Sequence, residues 1–107
     1  MPFEDDRIRL GFVPANRGSF SDELAFKMRN ATIEAMRQAG IDVVVPSPEQ
    51  TKVGCVETRK EADACAELFR TNGVQGIVVG AVNFGEEQPV AHVVRQTRLD
   101  VPVMIFG

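Results

Sequence analysis

The chain reads as an α/β domain built on a doubly wound parallel sheet. Three observations predict this. Four apolar runs rich in β-forming residues alternate with three stretches of helical periodicity. The inner runs are apolar at consecutive positions, as in sheets covered on both faces. Each junction carries its own punctuation of Pro, Gly, Asn or a Ser/Thr cap.

The first strand is expected over Ile8–Val13. Pro14 is expected to stop it, because proline has no N–H to give to a ladder. Ala15-Asn16-Arg17-Gly18 then reads as a loop, and Ser19 or Ser21 as a helix cap. The first helix is expected from about Ser21 to Gln38, with Leu24, Met28, Ala31 and Ala35 turned inward on one stripe. Ala39-Gly40 ends it. Asp42-Val43-Val44-Val45-Pro46 is the second strand. A longer connection, Ser47 to Glu57, contains Pro48 and Gly54.

Thr58-Arg59-Lys60-Glu61 has the form of a capping box. The helix it opens runs to about Asn72 and buries Ala62, Cys65, Ala66 and Phe69, and Asn72-Gly73 closes it. Gly76–Val82 is the third strand, with Asn83-Phe84-Gly85 as the loop at its carboxyl end. Glu86 and Glu87 suit the first turn of a third helix, where they meet the positive end of its dipole. Its inward stripe is Val90, Val93, Val94 and Thr97. His92 falls opposite that stripe and is expected to face solvent. Val101–Phe106 is the fourth strand.

Right-handed crossovers turn this alternation into a parallel sheet of four strands in the order 2-1-3-4, helices on both faces, of the Rossmann/flavodoxin-like kind. The order reverses between strands 1 and 3. Ligands of open α/β sheets bind in the crevice at such a point, which here is flanked by the loops Ala15–Ser19 and Asn83–Gly85. Residues 1–107 suffice for one domain with one core. The chain ends on an apolar strand with no helix after it. A single Rossmann-like domain at the N-terminal part of a larger protein is therefore expected.

Composition excludes several functions. Net charge is −3, with Lys and Arg unclustered, so no nucleic-acid partner is expected. No apolar run approaches the roughly 20 residues of a membrane helix, and no membrane partner is expected. The acidic N-terminus lacks a signal core, and the two thiols, Cys55 and Cys65, need no oxidising compartment. A cytoplasmic setting follows as the expectation.

A search for catalytic chemistry comes back empty. Gly11 lies within the first strand and Gly18 stands alone, so there is no dinucleotide fingerprint. Asp5 and Asp6 precede the first strand, at the wrong end for a phospho-receiver site. No carboxylates and His converge on a metal site. Cys55 and Cys65 have no partner base. No catalytic residue and no metal ligand are therefore assigned. Binding residues are better candidates. Arg17 reads either as an exposed loop arginine paired with Glu23, or as a fork of donors for a polyhydroxyl or anionic ligand. Asn16 adds amide hydrogen bonding, and Asn83 stands in the second loop. Phe84 either packs its own loop or offers a flat apolar wall to a sugar ring. Gly18 and Gly85 let backbone come close.

Three stretches together carry a resemblance. They are Gly11-Phe12-Val13-Pro14-Ala15-Asn16-Arg17-Gly18 before an acidic, Met/Arg-bearing helix, Ala66-Glu67-Leu68-Phe69-Arg70, and Asn83-Phe84-Gly85-Glu86-Glu87 after a buried strand. The chain resembles the N-terminal domain of the L-fucose/L-arabinose isomerase superfamily over essentially its whole length. The resemblance implies a substrate-covering and assembly domain of a metal-dependent aldose–ketose isomerase acting in carbohydrate metabolism. In such enzymes proton transfer passes through an enediol, and a Mn²⁺ held by two acidic residues and a His polarises the sugar oxygens. Metal and ligands lie in later domains, so this chain would hold no cofactor and be catalytically incomplete alone. Implied partners are a small-molecule sugar, the remaining domains, and neighbouring subunits of a homo-oligomer. Arg17 matches the arginine of the family's first loop. Phe84 stands where the family often has Trp, which leaves the sugar open. The alternative is one lobe of a sugar-binding receptor of the periplasmic or repressor type, to which Gly73–Val79 and Val101-Pro102-Val103 also conform.

Overall fold

A computed structural model describes residues 8–15, 22–51, 54–56, 58–81 and 87–106, with the backbone alone at 81, 87–91 and 106. Its elements follow in chain order: β1 (Arg9–Ala15), α1 (Asp22–Gln38), β2 (Asp42–Val44), α2 (Arg59–Asn72), β3 (Gly76–Ala81), α3 (Glu87–Thr97) and β4 (Val103–Phe106). The sheet is parallel throughout, in the order β2-β1-β3-β4. Fold class and strand order are those the sequence predicts.

β1 and β3 form the longest ladder, from Leu10 opposite Gly76 to Ala15 opposite Ala81. Alternation along these strands divides the side chains between two faces. Val13, Ile77 and Val79 point to one face and join Ala62, Cys65, Ala66 and Phe69 of α2 and Val93 of α3 in a single core cluster. α2 and α3 pack side by side there. Right-handed crossovers place α1 over the other face, towards which Phe12, fully buried, points. Gly11 points towards α2, and a Cβ there would stand 2.8 Å from the ring of Phe69. The missing side chain is what lets Phe69 lie flat on the sheet.

The helix caps form as the sequence predicts. Thr58 Oγ1 accepts from Glu61 N–H at 3.2 Å, and the Glu61 carboxylate accepts from Thr58 N–H at 3.1 Å. Gly73 takes φ +60° at the other end of α2, which costs glycine nothing.

Four expectations change. First, β1 does not stop at Val13 but runs through Pro14, which pairs with Gly80. Asp42 N–H donates to Ile8 C=O, so Ile8 and alternate residues after it turn their polar backbone towards β2. β2 ends at Val44, short of Pro14, so the absent N–H breaks no ladder bond. Second, α1 buries Ala25, Arg29 and Ile33, while Leu24 and Met28 are 42% and 39% exposed and Ala31 and Ala35 lie in solvent. Two stripes share this helix, and the buried one is centred on an arginine, which hydrophobic periodicity overlooks. Third, His92 is only 6% exposed. Its Nε2 lies 2.5 Å from Asp63 Oδ1, because α2 occupies the flank of α3 that a lone helix would turn to water. Fourth, β2 and β4 are each two residues shorter than expected, β2 losing Val45 and Pro46 and β4 losing Val101 and Pro102. Met104 and Ile105 of β4 are 65% and 70% exposed.

Cys55 and Cys65 are both buried and form no disulfide. Desolvation pushes the Cys65 thiol well above its ordinary value. The folded chain therefore keeps this proton where the unfolded chain releases it, above roughly pH 8.5. Stability is unaffected below that pH and falls as pH rises past it, by up to about 1.4 kcal/mol per pH unit. Denaturant titrations between pH 8 and 10 are expected to show this decline, and Cys65→Ala to flatten it while lowering stability at every pH. Gly11→Ala is expected to cost about 1–3 kcal/mol by overpacking against Phe69. Urea unfolding measures it, and an unchanged midpoint would refute the close-approach argument.

Candidate functional site

The candidate site is the carboxyl rim of the sheet. Three connections gather there. The first leaves β1 after Ala15, and the second leaves β3 after Ala81. Ala15 and Ala81 are register partners on adjacent strands, so the two segments depart from neighbouring points, about 4.8 Å apart. Asn16, Arg17, Asn83 and Phe84, the residues singled out from the sequence, follow directly on these points but lie outside the described residues, as do Gly18 and Gly85.

The third connection joins β2 to α2, and its described part is tightly built. It leaves β2, turns at Ser47–Thr51, and returns to the rim at Gly54–Val56. Val56 N–H donates to Pro14 C=O at 2.9 Å, and Val56 bridges Ala15 in parallel. It thus occupies the side of β1 that β2 has vacated. The Ser47 turn is closed by Ser47 N–H to Gln50 Oε1 at 2.9 Å and Gln50 N–H to Ser47 C=O at 3.0 Å.

One side chain ties both ends of this connection. Arg29 of α1 is 7% exposed. Its Nη2 donates to Pro46 C=O at 2.7 Å and its Nε to Gly54 C=O at 3.0 Å. Nη1 donates to Asn30 Oδ1 at 2.5 Å, and the Phe26 ring centroid lies 5.6 Å from Cζ. Desolvation lowers the Arg29 pKa, Cys55 raises it and Arg37 lowers it further. Gly54 sits at φ +68°, and a Cβ on it would stand 2.4 Å from Arg29 Nε. The backbone can approach the guanidinium this closely only as glycine. Sequence reading placed Gly54 in the connection but missed Arg29. The available signal was its position four residues from both Ala25 and Ile33, on the buried stripe.

Between this connection and the N-terminus of α2 lies an open cavity of about 440 Å³. Glu49, Gln50, Thr51, Thr58, Lys60 and Glu61 contribute polar groups to its lining. Thr51 Oγ1 is buried with no hydrogen-bond partner among the described residues. Donors and acceptors are mixed in the lining, and its formal charges are of both signs. Among the described residues no three His, Cys, Asp or Glu side chains converge to hold a metal ion. None of the described helices is long and apolar enough to cross a membrane.

The rim and topology define a doubly wound α/β domain, and among the described residues no catalytic constellation is assembled. The chain matches the family model for the N-terminal domain of fucose/sulfoquinovose isomerase over residues 11–107. It belongs to that family, and to the sugar isomerases by that membership. No curated protein and no solved structure matches the chain.

Removal of the Gly54 fit tests the rim's construction. Gly54→Ala is expected to lose about 1–2 kcal/mol from its left-handed φ alone, and more through collision with Arg29. Amide exchange at Val56 is expected to quicken as its bond to Pro14 loosens. Normal protection at Val56 in a folded Gly54→Ala variant would show that Arg29 does not hold the connection.

Proposed function

We propose that this domain covers the substrate of a sugar isomerase, its carboxyl rim closing over the sugar while other parts of the enzyme carry out the reaction. Arg17 and Asn16 hydrogen-bond sugar oxygens from the first loop, while Asn83 and Phe84 bound the ring from the second. The observation that supports this reading is the register of Ala15 with Ala81. It starts both loops from adjacent strands at one edge, within reach of a single small ligand. Family membership supplies the substrate class.

The manganese ion that the sequence resemblance implies finds no donor set among the described residues. The metal and its acidic and imidazole ligands are proposed to belong to later domains, reached in the same subunit or in a neighbour of a homo-oligomer. This chain's contribution is binding, orientation and exclusion of water. A cytoplasmic setting fits an isomerase with two buried cysteines that form no disulfide.

Family membership spans neutral and sulfonated sugars, and Arg17 separates them. A guanidinium gains about 0.5–1.5 kcal/mol from a neutral hydroxyl and about twice that from an anionic oxygen. In the complete enzyme, Arg17→Ala is expected to raise KM for a neutral sugar about 5- to 10-fold with kcat little changed. A sulfonated sugar bound through Arg17 would lose about 100-fold. Steady-state kinetics with both sugar types decides, and kinetics unaltered for either would end the proposed role of Arg17.

A further inference from the structure

We propose that the outer stripe of α1 is a self-docking surface, on which α1 of a second copy of this chain packs antiparallel about a two-fold axis. The stripe consists of Leu24, Met28, Ala31 and Ala35, all exposed. Their spacing of four, three and four residues is the a/d repeat of a helix–helix seam. The helix keeps this seam outward although its other side is already committed to the core through Ala25, Arg29 and Ile33.

The order of sizes along the seam selects the partner. A two-fold axis between residues 29 and 30 sets Leu24 opposite Ala35 of the second copy, and Met28 opposite Ala31. By symmetry each pairing occurs twice. Every layer then holds one large and one small side chain, so the gap between the helices is even and the backbones can approach to about 8–10 Å. A parallel pairing would stack Leu24 on Leu24 and Ala35 on Ala35, crowding one end and leaving a void at the other.

Charge agrees with size. Lys27 and Glu34 are the exposed charged residues that flank the seam most closely on the helical wheel. In the antiparallel arrangement Lys27 of one copy comes alongside Glu34 of the other, again twice. The parallel arrangement sets Lys27 across from Thr32 instead, with no opposite charge to meet. The Glu34 carboxylate is held by Gln38 Nε2 at 3.3 Å, which keeps it on that flank. A later segment of a longer chain has no reason to match this internal symmetry, whereas a second copy satisfies it by construction.

The test is a cysteine pair. Leu24→Cys/Ala35→Cys in the full chain places two thiols eleven residues apart on one helix, about 16 Å, too far to join within it. Across the proposed interface they are opposite. Mild oxidation is expected to give a covalent dimer in high yield, while either single variant gives little. Cys55 and Cys65 are buried and stay out of the reaction in the folded chain. Lys27→Glu in that background is expected to cut the yield several-fold, and Lys27→Glu/Glu34→Lys to restore it. Circular dichroism confirms that each variant is folded, which surface positions permit. No covalent dimer from the double-cysteine protein would overturn the proposal. So would equal yield from the single variants, or failure of the charge exchange to restore pairing.

Discussion

The ladder between β1 and β3 is the constraint on which the other features rest. Its register decides which residues face α2 and α3 and which face α1. A slip by one residue would turn out of the core either Val13, if β1 shifts, or Ile77 and Val79, if β3 does. Gly11, within the ladder opposite Ile77, reinforces the register through its contact with α2. It provides the only spot on β1 shown to lack a Cβ beneath the Phe69 ring, so α2 can seat on the sheet in one place. With β1 fixed centrally, its carboxyl end becomes the meeting point of connections. Ala81 lies to one side and Val56 to the other, so the chain leaves β1 between them.

How far the fold was legible follows from the range of each signal. The capping box at Thr58–Glu61 and the left-handed Gly73 are local, and both are read correctly. Strand order follows from chirality and the alternation of elements, again without tertiary detail. What fails is information carried by a neighbour. Pro14 is harmless in β1 only because β2 has already ended. His92 is buried only because α2 lies beside α3, bringing Asp63 to its ring. The α1 stripe was read inside out because a purely apolar pattern outscores one with an arginine at its centre. For the site, the sequence put the carboxyl ends of the first and third strands side by side, as the Ala15–Ala81 register has them, while Asn16, Arg17, Asn83 and Phe84 lie outside the described residues. It did not reveal that the β2–α2 connection returns to the same rim.

α1 therefore works on two fronts. Its inner face does not simply fill space, since between Ala25 and Ile33 the volume is taken by the Arg29 stem. Its outer face carries Leu24 and Met28, each more than a third exposed. The division is coherent if the inner face is chosen for hydrogen bonding to a loop and the outer one for packing against another helix. The same helix then links the β2–α2 connection at the rim to the face proposed to meet a second copy.

The choice of arginine at position 29 can be argued from the carbonyls it meets. Pro46 and Gly54 leave C=O groups buried at opposite ends of the connection, and each would cost about 1–3 kcal/mol if left unpaired. A hydrophobic residue would pack but satisfy neither. Lysine presents one compact charge and cannot present the planar fork that reaches both. Only the guanidinium joins two separated carbonyls at once, and its weak hydration makes burial less costly than for an ammonium. The burden appears in its lowered pKa, offset in part by Cys55. Glycine at position 54 then follows from arginine at 29, because any Cβ there would occupy the space of Nε. One buried cation and one absent side chain thus set the path of the β2–α2 connection, beside the packing of Cys55 and Val56.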